Sequence, residues 1–386
     1  MTAQKRASAL LETMVGWRQA IHANPETAFL EFDTAKLVAE QLRSFGIEVH
    51  TGLATTGVVG VLSRGEGDSI ALRADMDALN LTERNTFAHA SKNPGKMHAC
   101  GHDGHTAMLL GAAKILAESD AFCGTVVFVF QPAEENEGGA EVMVREGLFE
   151  TFPVSEIYGL HNWPSLAAGH MAVGSGTMMA ACETLRIVVK GKGGHAAMPH
   201  LATDPVLAAA QIVNGLQSIA SRWASPLDAC VVSITQIHGG DTWNVIPSEV
   251  VMCGTVRWLN PGLKTALEEA LHKIIVGVGD SFGCEVELSF DGYYPPTVNT
   301  PRLAKMCADV MATLVGEDKV NRVPVPSMGS EDFSFMLQEK PGSYAWLGTA
   351  THPDDPKLHN PNYDFNDEML PMGAAYWVAL VERRLG

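Results

Sequence analysis

The sequence predicts an α/β protein with a mixed central sheet flanked by helices, and a smaller β-α-β-β-α-β domain inserted into it. Three observations lead there. Through the first half, strand-length apolar runs alternate with helix-length amphipathic runs. From about Glu183 to Phe290 the texture becomes strand, helix, two strands, helix, strand. After the adjacent prolines of "GYYPPTVNTP", which can continue neither kind of element, the first texture resumes. At 386 residues the chain also exceeds what one core usually organises. The expected division is a discontinuous larger domain, 1–182 and 297–386, around an insertion at 183–296.

The opening "MTAQKRASALLETMVGWRQAIHANPETAF" places its apolar residues at helical spacing. It lacks an uninterrupted apolar core ahead of a small-residue cleavage site, so it reads as a mature amphipathic helix. Strands "GVVGVLS" and "SIALRADMDAL" follow, then helix "HTAMLLGAAKILAES", strand "GTVVFVFQ", helix "GGAEVMVREGLF" and strand "SEIYGLHNWP". In the insertion come "ETLRIVVKGKG", the helical "DPVLAAAQIVNGLQSIASRW", strands "DACVVSITQIHGG" and "SEVVMCGTVRWL", helix "PGLKTALEEALHKIIVGVGDSFG" and strand "CEVELSFDGY". That order is ferredoxin-like, two helices over one face of a sheet. Helix "TPRLAKMCADVMATLVG" and strand "GSYAWLGTA" return the chain to the first domain.

Hydrophobic residues make up 46% and charged residues 18%, too apolar for a disordered chain. A formal charge of −17 argues against nucleic acid or an anionic membrane as general partners, since the long-range field repels both. No segment approaches bilayer-spanning length. The seven cysteines are odd in number and scattered through apolar contexts, which suits reduced core residues in a cytoplasmic protein.

Chemistry concentrates in "GKMHACGHDGHTAM", residues 95–108. On an extended backbone His98, Cys100 and His102 would share one side, while Gly101 and Gly104 let the chain bend before a helix begins near His105. Thiolate and imidazole converging at a helix entrance suit a divalent transition metal, zinc above all. Spacing alone does not choose among the histidines, and the competing reading is a crowded turn of capping residues with Cys100 a small buried hydrophobe. Two further segments favour the metal. An apolar strand delivers Glu134 and Glu135 at its carboxyl end in "VVFVFQPAEENEGGA", and another delivers His161 in "EIYGLHNWP". Ligands in open α/β sheets gather at such ends. Adjacent glutamates cannot project alike from a regular strand, so one is free to ligate and the other to take a proton from water.

The segments "WRQAIHANPETAFLEFDTA", "LRADMDAL", "MHACGHDGHTAMLLGAA", "FQPAEE", "GLHNWP", "GKGGHAAMPH", "NVIP", "GTVR", "SEDFSFM" and "LHNPNYDF", in this order, resemble the M20-type metal-dependent aminoacylase and amidohydrolase family. The branch resembled holds hippurate hydrolases, N-acyl-amino-acid amidohydrolases and auxin-conjugate hydrolases. Each motif alone is only suggestive; the ordered set spans nearly the whole chain.

The resemblance implies a centre of two divalent ions (zinc, manganese, cobalt or nickel) held by Cys100, His102, Glu135, His161 and His359, with Cys100 shared between them. It makes Glu134 the general base. His359, rather than His352, is chosen by the resemblance alone. Asp75 and Asp77 stand where related branches have a metal-binding histidine and its supporting aspartate, and are expected to orient ligands. His195 is expected to polarise the scissile carbonyl in the other subunit of a homodimer, and Asn244 and Arg257 to hold the substrate carboxylate. The expected reaction is hydrolysis of the amide of an N-acyl amino acid, hippurate-like acyl glycines included, in the cytoplasm. A dipeptidase or biosynthetic deacylase is the alternative within hydrolases, and a zinc-stabilised binding or redox protein the alternative outside them.

Overall fold

The computed structural model describes residues 1–386, which form two compact units. The larger comprises Met1–Met178, Thr297–Val325 and Glu331–Gly386. The smaller comprises Met179–Pro296 and, in addition, the strap Pro326–Ser330. The strap, "PSMGS", has no helical or strand period that would tie it to either part from sequence.

The larger unit is a mixed eight-stranded sheet flanked by helices. Its strands are β1 (Glu48–Leu53), β2 (Gly57–Arg64), β3 (Ser69–Asp75), β4 (Gly124–Gln131), β5 (Glu156–Ala167) and β6 (Met171–Ala172), with Val320–Asn321 and Gly342–Ala350. They lie in the order β1, β2, β4, β3, β5, Gly342–Ala350, β6, Val320–Asn321. β3 runs parallel to both β4 and β5, and β5 parallel to Gly342–Ala350. These central strands need side chains that are apolar on both faces, which "GTVVFVFQ" supplies. The helix α4, in chain order after α1 (Ala3–Ser8), α2 (Leu11–Ala23) and α3 (Phe32–Ser44), spans His102–Ala117. Beyond its polar first turn and apart from Lys114 its side chains are small or apolar, and it is buried nearly throughout. Leu109 and Leu110 in it are fully enclosed, each contributing about 1.5–3 kcal/mol.

Several expected boundaries move. The amino-terminal helix is two, broken at Ala9–Leu10, and "GGAEVMVREGLF" divides at Gly147, whose φ is 94°. The strand at "SIALRADMDAL" stops at Asp75. α4 begins at His102, not near His105, because Gly101 takes φ 92° and turns the chain straight into the helix. Any Cβ at Gly101 would overlap Asn162 Oδ1. Residues 98–102 are therefore not one extended run, and His98 is in none of the donor groups that Cys100 and His102 form.

In the smaller unit the strands Cys230–His238, Glu249–Trp258, Ala181–Lys190 and Glu285–Tyr294 make an antiparallel sheet in that order. Alternate residues Leu185, Ile187 and Val189, with Val250, Met252 and Val256, pack with Ile212, Leu216, Leu271 and Ile275 of the helices Pro205–Ser218 and Lys264–Phe282. No helix of the chain is long and apolar enough to cross a membrane.

Candidate metal centre

Four short segments of the larger unit bring donor atoms together. Cys100, immediately before the left-handed Gly101, directs its Sγ to 3.5 Å from His161 Nε2. His161 lies within β5 rather than beyond its carboxyl end, which corrects the expected delivery at a strand terminus. His102 opens α4, and its Nε2 joins the same group, the three donors lying within 4.8 Å of one another. A second group of the same compactness joins Cys100 to Glu135 and His359, with His359 Nε2 3.3 Å from Glu135 Oε2. Cys100 thus belongs to both.

The hydrogen bonds fix which lone pairs face inward. His102 Nδ1 donates to the Asp77 carbonyl at 2.9 Å, with Asp77 Oδ1 3.1 Å away, and His161 Nδ1 donates to the Asn162 carbonyl at 2.6 Å. Since a carbonyl can only accept, each ring carries a proton on Nδ1 and turns Nε2 into the group; burial keeps His161 neutral, whereas Asp75, Asp77 and Glu135 outweigh burial and raise His102 to about 10, so that an ion there would take the place of a proton. His359, in a left-handed conformation with φ 62°, is anchored by its own N–H to the Ala99 carbonyl at 2.8 Å. His102 Nε2 and Glu135 Oε1 are buried without any hydrogen-bond partner. Buried polar atoms left without a partner are costly, and an ion between these two would satisfy both. A thiol, three imidazoles and a carboxylate are also the donor types divalent transition ions take. The residues fit a metal.

Electrostatics agrees. Burial and the Glu135 and Glu134 carboxylates push the Cys100 thiol up, while burial and neighbouring His105 push His161 down and keep it neutral. A cation would relieve the first, and the second leaves a neutral ring able to ligate one. Glu134 is 6% exposed, near but outside the two groups that contain Cys100, and its Oε1 receives the Asp332 N–H at 3.4 Å. Burial, then the carboxylates of Glu331 and Glu135, raise its proton affinity.

A model of peptidase family M20/M25/M40 matches residues 71–383. The chain belongs to this family. It is 41% identical to the Arabidopsis thaliana IAA-amino acid hydrolase ILR1-like 4 over 393 residues, covering 100% of this chain and 88% of that protein. To the hippurate hydrolase of Campylobacter jejuni it is 41% identical, covering 95% of each. The crystal structure of a dinuclear metal-binding M20 peptidase from Bacillus subtilis superposes with a TM-score of 0.84 at 33% identity, covering 97% of this chain and 98% of that one. The protein is accordingly an enzyme, an M20 hydrolase.

Around the M20 donor groups lie residues that orient them. Asp77 receives the His102 ring through Oδ1 and the Glu135 N–H through Oδ2, at 3.1 and 3.0 Å, so one carboxylate sets two candidate ligands. Asp75 instead meets His105, Oδ1 to Nδ1 at 2.6 Å, and Arg73, Oδ2 to Nη1 at 2.7 Å. His105 has its other nitrogen 2.6 Å from Asn162 Oδ1, so neither nitrogen is spare for an ion. His98 is buried with neither nitrogen partnered, and its ring neighbour is His22 at 6.2 Å. His352 is exposed beside Asp354.

The sequence reading missed His105, Asn162, Tyr363, Arg73, Glu331 and Asp332. Asn162 Nδ2 donates to Tyr363 Oη at 2.6 Å, and Arg73 gathers Gln131, Asp75, Glu331 and Asp332. All but His105 sit inside the quoted motifs "LRADMDAL", "GLHNWP", "SEDFSFM" and "LHNPNYDF", which was the available signal; His105 sits in "MHACGHDGHTAMLLGAA".

The remaining predicted residues lie in the smaller unit. His195 pairs with Val245 in a two-stranded ribbon, and Ala196 N–H bonds the Asn244 carbonyl at 3.1 Å, so His195 and Asn244 are neighbours. His195 Nδ1 accepts the Ala197 N–H at 3.1 Å, leaving Nε2 as the protonated, outward nitrogen. Arg257 is on the strand Glu249–Trp258 and gives Nη1 to the Met328 carbonyl of the strap at 3.0 Å.

Proposed function

We propose that this enzyme hydrolyses the amide bond of N-acyl amino acids, hippurate-like substrates among them, releasing a carboxylic acid and a free amino acid. One observation carries the reading: the buried carboxylate of Glu134 stands beside converging donors without belonging to the pair of groups built on Cys100. Cys100, His102, Glu135, His161 and His359 would hold two divalent ions, with the Cys100 thiolate between them. When bound, such ions supply electrophilic pull on an amide carbonyl and make water more acidic. A thiolate favours zinc, while three imidazoles and a carboxylate also accept manganese, cobalt or nickel.

Glu134 takes the proton from the attacking water and returns it to the leaving nitrogen, so the C–N bond breaks with a neutral amine as product. Its raised proton affinity favours the first half of that transfer, acceptance of the water's proton. His195, with Nε2–H outward, donates to the scissile carbonyl oxygen, and Asn244 and Arg257 receive the substrate's carboxylate. A carboxylate ligand needs such a local cation on a chain of formal charge −17. Asp75 and Asp77 keep the ligands in register. The smaller unit serves as a ferredoxin-like lid and dimerisation domain of a cytoplasmic homodimer, His195 serving the other subunit.

The test is Glu134→Gln, which preserves size but not basicity. Metal content should be unchanged and turnover of N-benzoyl, N-acetyl and dipeptide substrates should fall about 10²–10⁴-fold, the scale of general base catalysis. Near-normal turnover in the metal-loaded variant refutes the assignment. The substrate panel separates acylase from dipeptidase.

A further inference from the structure

Five non-glycine residues have positive φ: Phe29 (59°), Ala54 (48°), Thr55 (70°), Ala133 (56°) and His359 (62°). His359 is a candidate ligand. Of the other four, Ala133 bonds one buried side chain that the chemistry above leaves unused, Glu31, and the remaining three lie within two positions in sequence of Glu31 or of its partner Thr56. Phe29 precedes Glu31 by two positions, Ala54 and Thr55 lead into Thr56, and Thr56 and Ala133 are its hydrogen-bond partners. Glu31 is 0% exposed; its Oε2 accepts the Thr56 hydroxyl at 2.5 Å and its Oε1 the Ala133 N–H at 3.0 Å. Left-handed conformations in residues with side chains persist only where the surroundings over-determine them, and such strain collects at functional sites.

What is over-determined here is the loop after β4. Ala133 is the residue before Glu134, and its φ sets the direction in which the base leaves the turn. Three carboxylates from three distant segments each accept one of the loop's backbone N–H groups. Glu31 takes that of Ala133, Asp77 Oδ2 that of Glu135 at 3.0 Å, and Asp332 Oδ2 that of Ala140 at 2.8 Å. The Ala133 carbonyl receives Gly139 N–H at 2.9 Å, and a Cβ at Gly139 would collide with the Pro132 carbonyl. Asp77 serves the candidate ligand and Asp332 the far end. Of the three carboxylates, Glu31 alone bonds the strained residue next to the base, and it alone holds that residue's N–H.

We propose that Glu31 is a positioning residue for Glu134: its carboxylate, braced by Thr56, locks Ala133 left-handed and so aims the base. This rests on the reading of Glu134 as general base. A hydrophobic side chain would leave the Ala133 N–H buried and unpaired, freeing the turn to relax. Glutamine keeps an accepting oxygen at the same reach; aspartate is one methylene too short to meet both partners.

The test compares metal-loaded Glu31→Ala, Glu31→Asp and Glu31→Gln with Glu134→Gln, reading metal stoichiometry, KM and kcat on N-acyl amino acids. Both Glu31→Ala and Glu31→Asp should keep full metal and a KM within about twofold while kcat falls about 10- to 100-fold, the cost of misplacing a reacting group by about 1 Å. Glu31→Gln should recover kcat to within about fivefold of the parent, because the accepted bond is retained. Should alanine fail to fold, the aspartate and glutamine variants still decide. Parental kcat in Glu31→Asp, a kcat loss matched by metal loss, or glutamine as impaired as aspartate overturns the proposal. An inactive Glu134→Gln alongside a fully active Glu31→Asp overturns the positioning role alone, whereas an active Glu134→Gln overturns the general base itself.

Discussion

Replacing Arg73 by methionine removes the cation at the centre of a buried acidic cluster. The guanidinium is 2% exposed in β3 and gives Nη1 to Asp75 at 2.7 Å, Nη2 to Glu331 and Asp332 at 3.0 and 3.1 Å, and Nε to Gln131 at 2.7 Å. Burial alone opposes its charge, yet Glu331, Asp75 and Asp332 more than offset that and hold it firmly protonated. Methionine fills most of the same volume, so the change is electrostatic rather than a cavity. Stranding one member of a buried ion pair costs about 3–5 kcal/mol, and here three carboxylates are stranded together, which argues for the upper end. At about 1–2 °C per kcal/mol for a chain of 386 residues, the melting transition should fall by about 5–10 °C. The assay is circular dichroism melting at about pH 7.5 and about pH 5.5, because a stranded carboxyl has a raised folded-state pKa and protonation then favours the folded chain. The deficit should therefore narrow on acidification. A variant melting within about 2 °C of the parent at about pH 7.5, or a deficit that does not narrow, refutes the reasoning.

A second titration is built in at His22, fully enclosed with Nδ1 2.8 Å from Asp103 Oδ2 and Nε2 3.3 Å from Glu83 Oε1. Burial works against its charge, but Asp103 and Glu83 outweigh burial and lift it to about 9. With the folded value above the free one, the stabilisation is complete below about pH 6.5 and is lost as pH rises through about 9. His22→Gln should flatten the alkaline fall in melting temperature; an unchanged profile would remove His22 from the account. Chelation should abolish amide hydrolysis while far-ultraviolet dichroism persists, because the apolar cluster around α4 and the sheet contains none of the candidate ligands. Loss of the bound ions should still lower the melting temperature, by the mass-action stabilisation of about 4 kcal/mol at a thousandfold excess over Kd. Global unfolding on chelation would instead point to a structural metal.

Legibility varied with how local each signal was. β4 and α4 were visible because a run such as "VVFVFQ" or "TAMLLGAAKILA" can only be buried, whatever surrounds it. The donors at Cys100 and His102 were visible through their density, but the straight backbone assumed for 98–102 is interrupted at Gly101, and His98 lies beside His22 instead of among the donors. His105 looked as good a ligand as His102 until the structure showed Asp75 and Asn162 using its nitrogens. Arg73 and Glu331 are 258 positions apart, and no local pattern announces a bond of that span. His359 sits in a turn without period and was chosen only by resemblance to a family. The short strap at Pro326–Ser330 carries no apolar period, so its membership of the smaller unit was invisible.

His359 bonds back to Ala99, and the last helix, Leu370–Leu385, packs on α4 and α1. During synthesis at about 5–20 residues per second, Cys100 therefore precedes its distant counterpart by about 13–50 s. On the proposed ligand set, a nascent chain offers an ion only part of its grip through that interval. Complete capture would then follow translation, so recombinant yield of loaded enzyme should depend on metal supply after release rather than on the speed of expression.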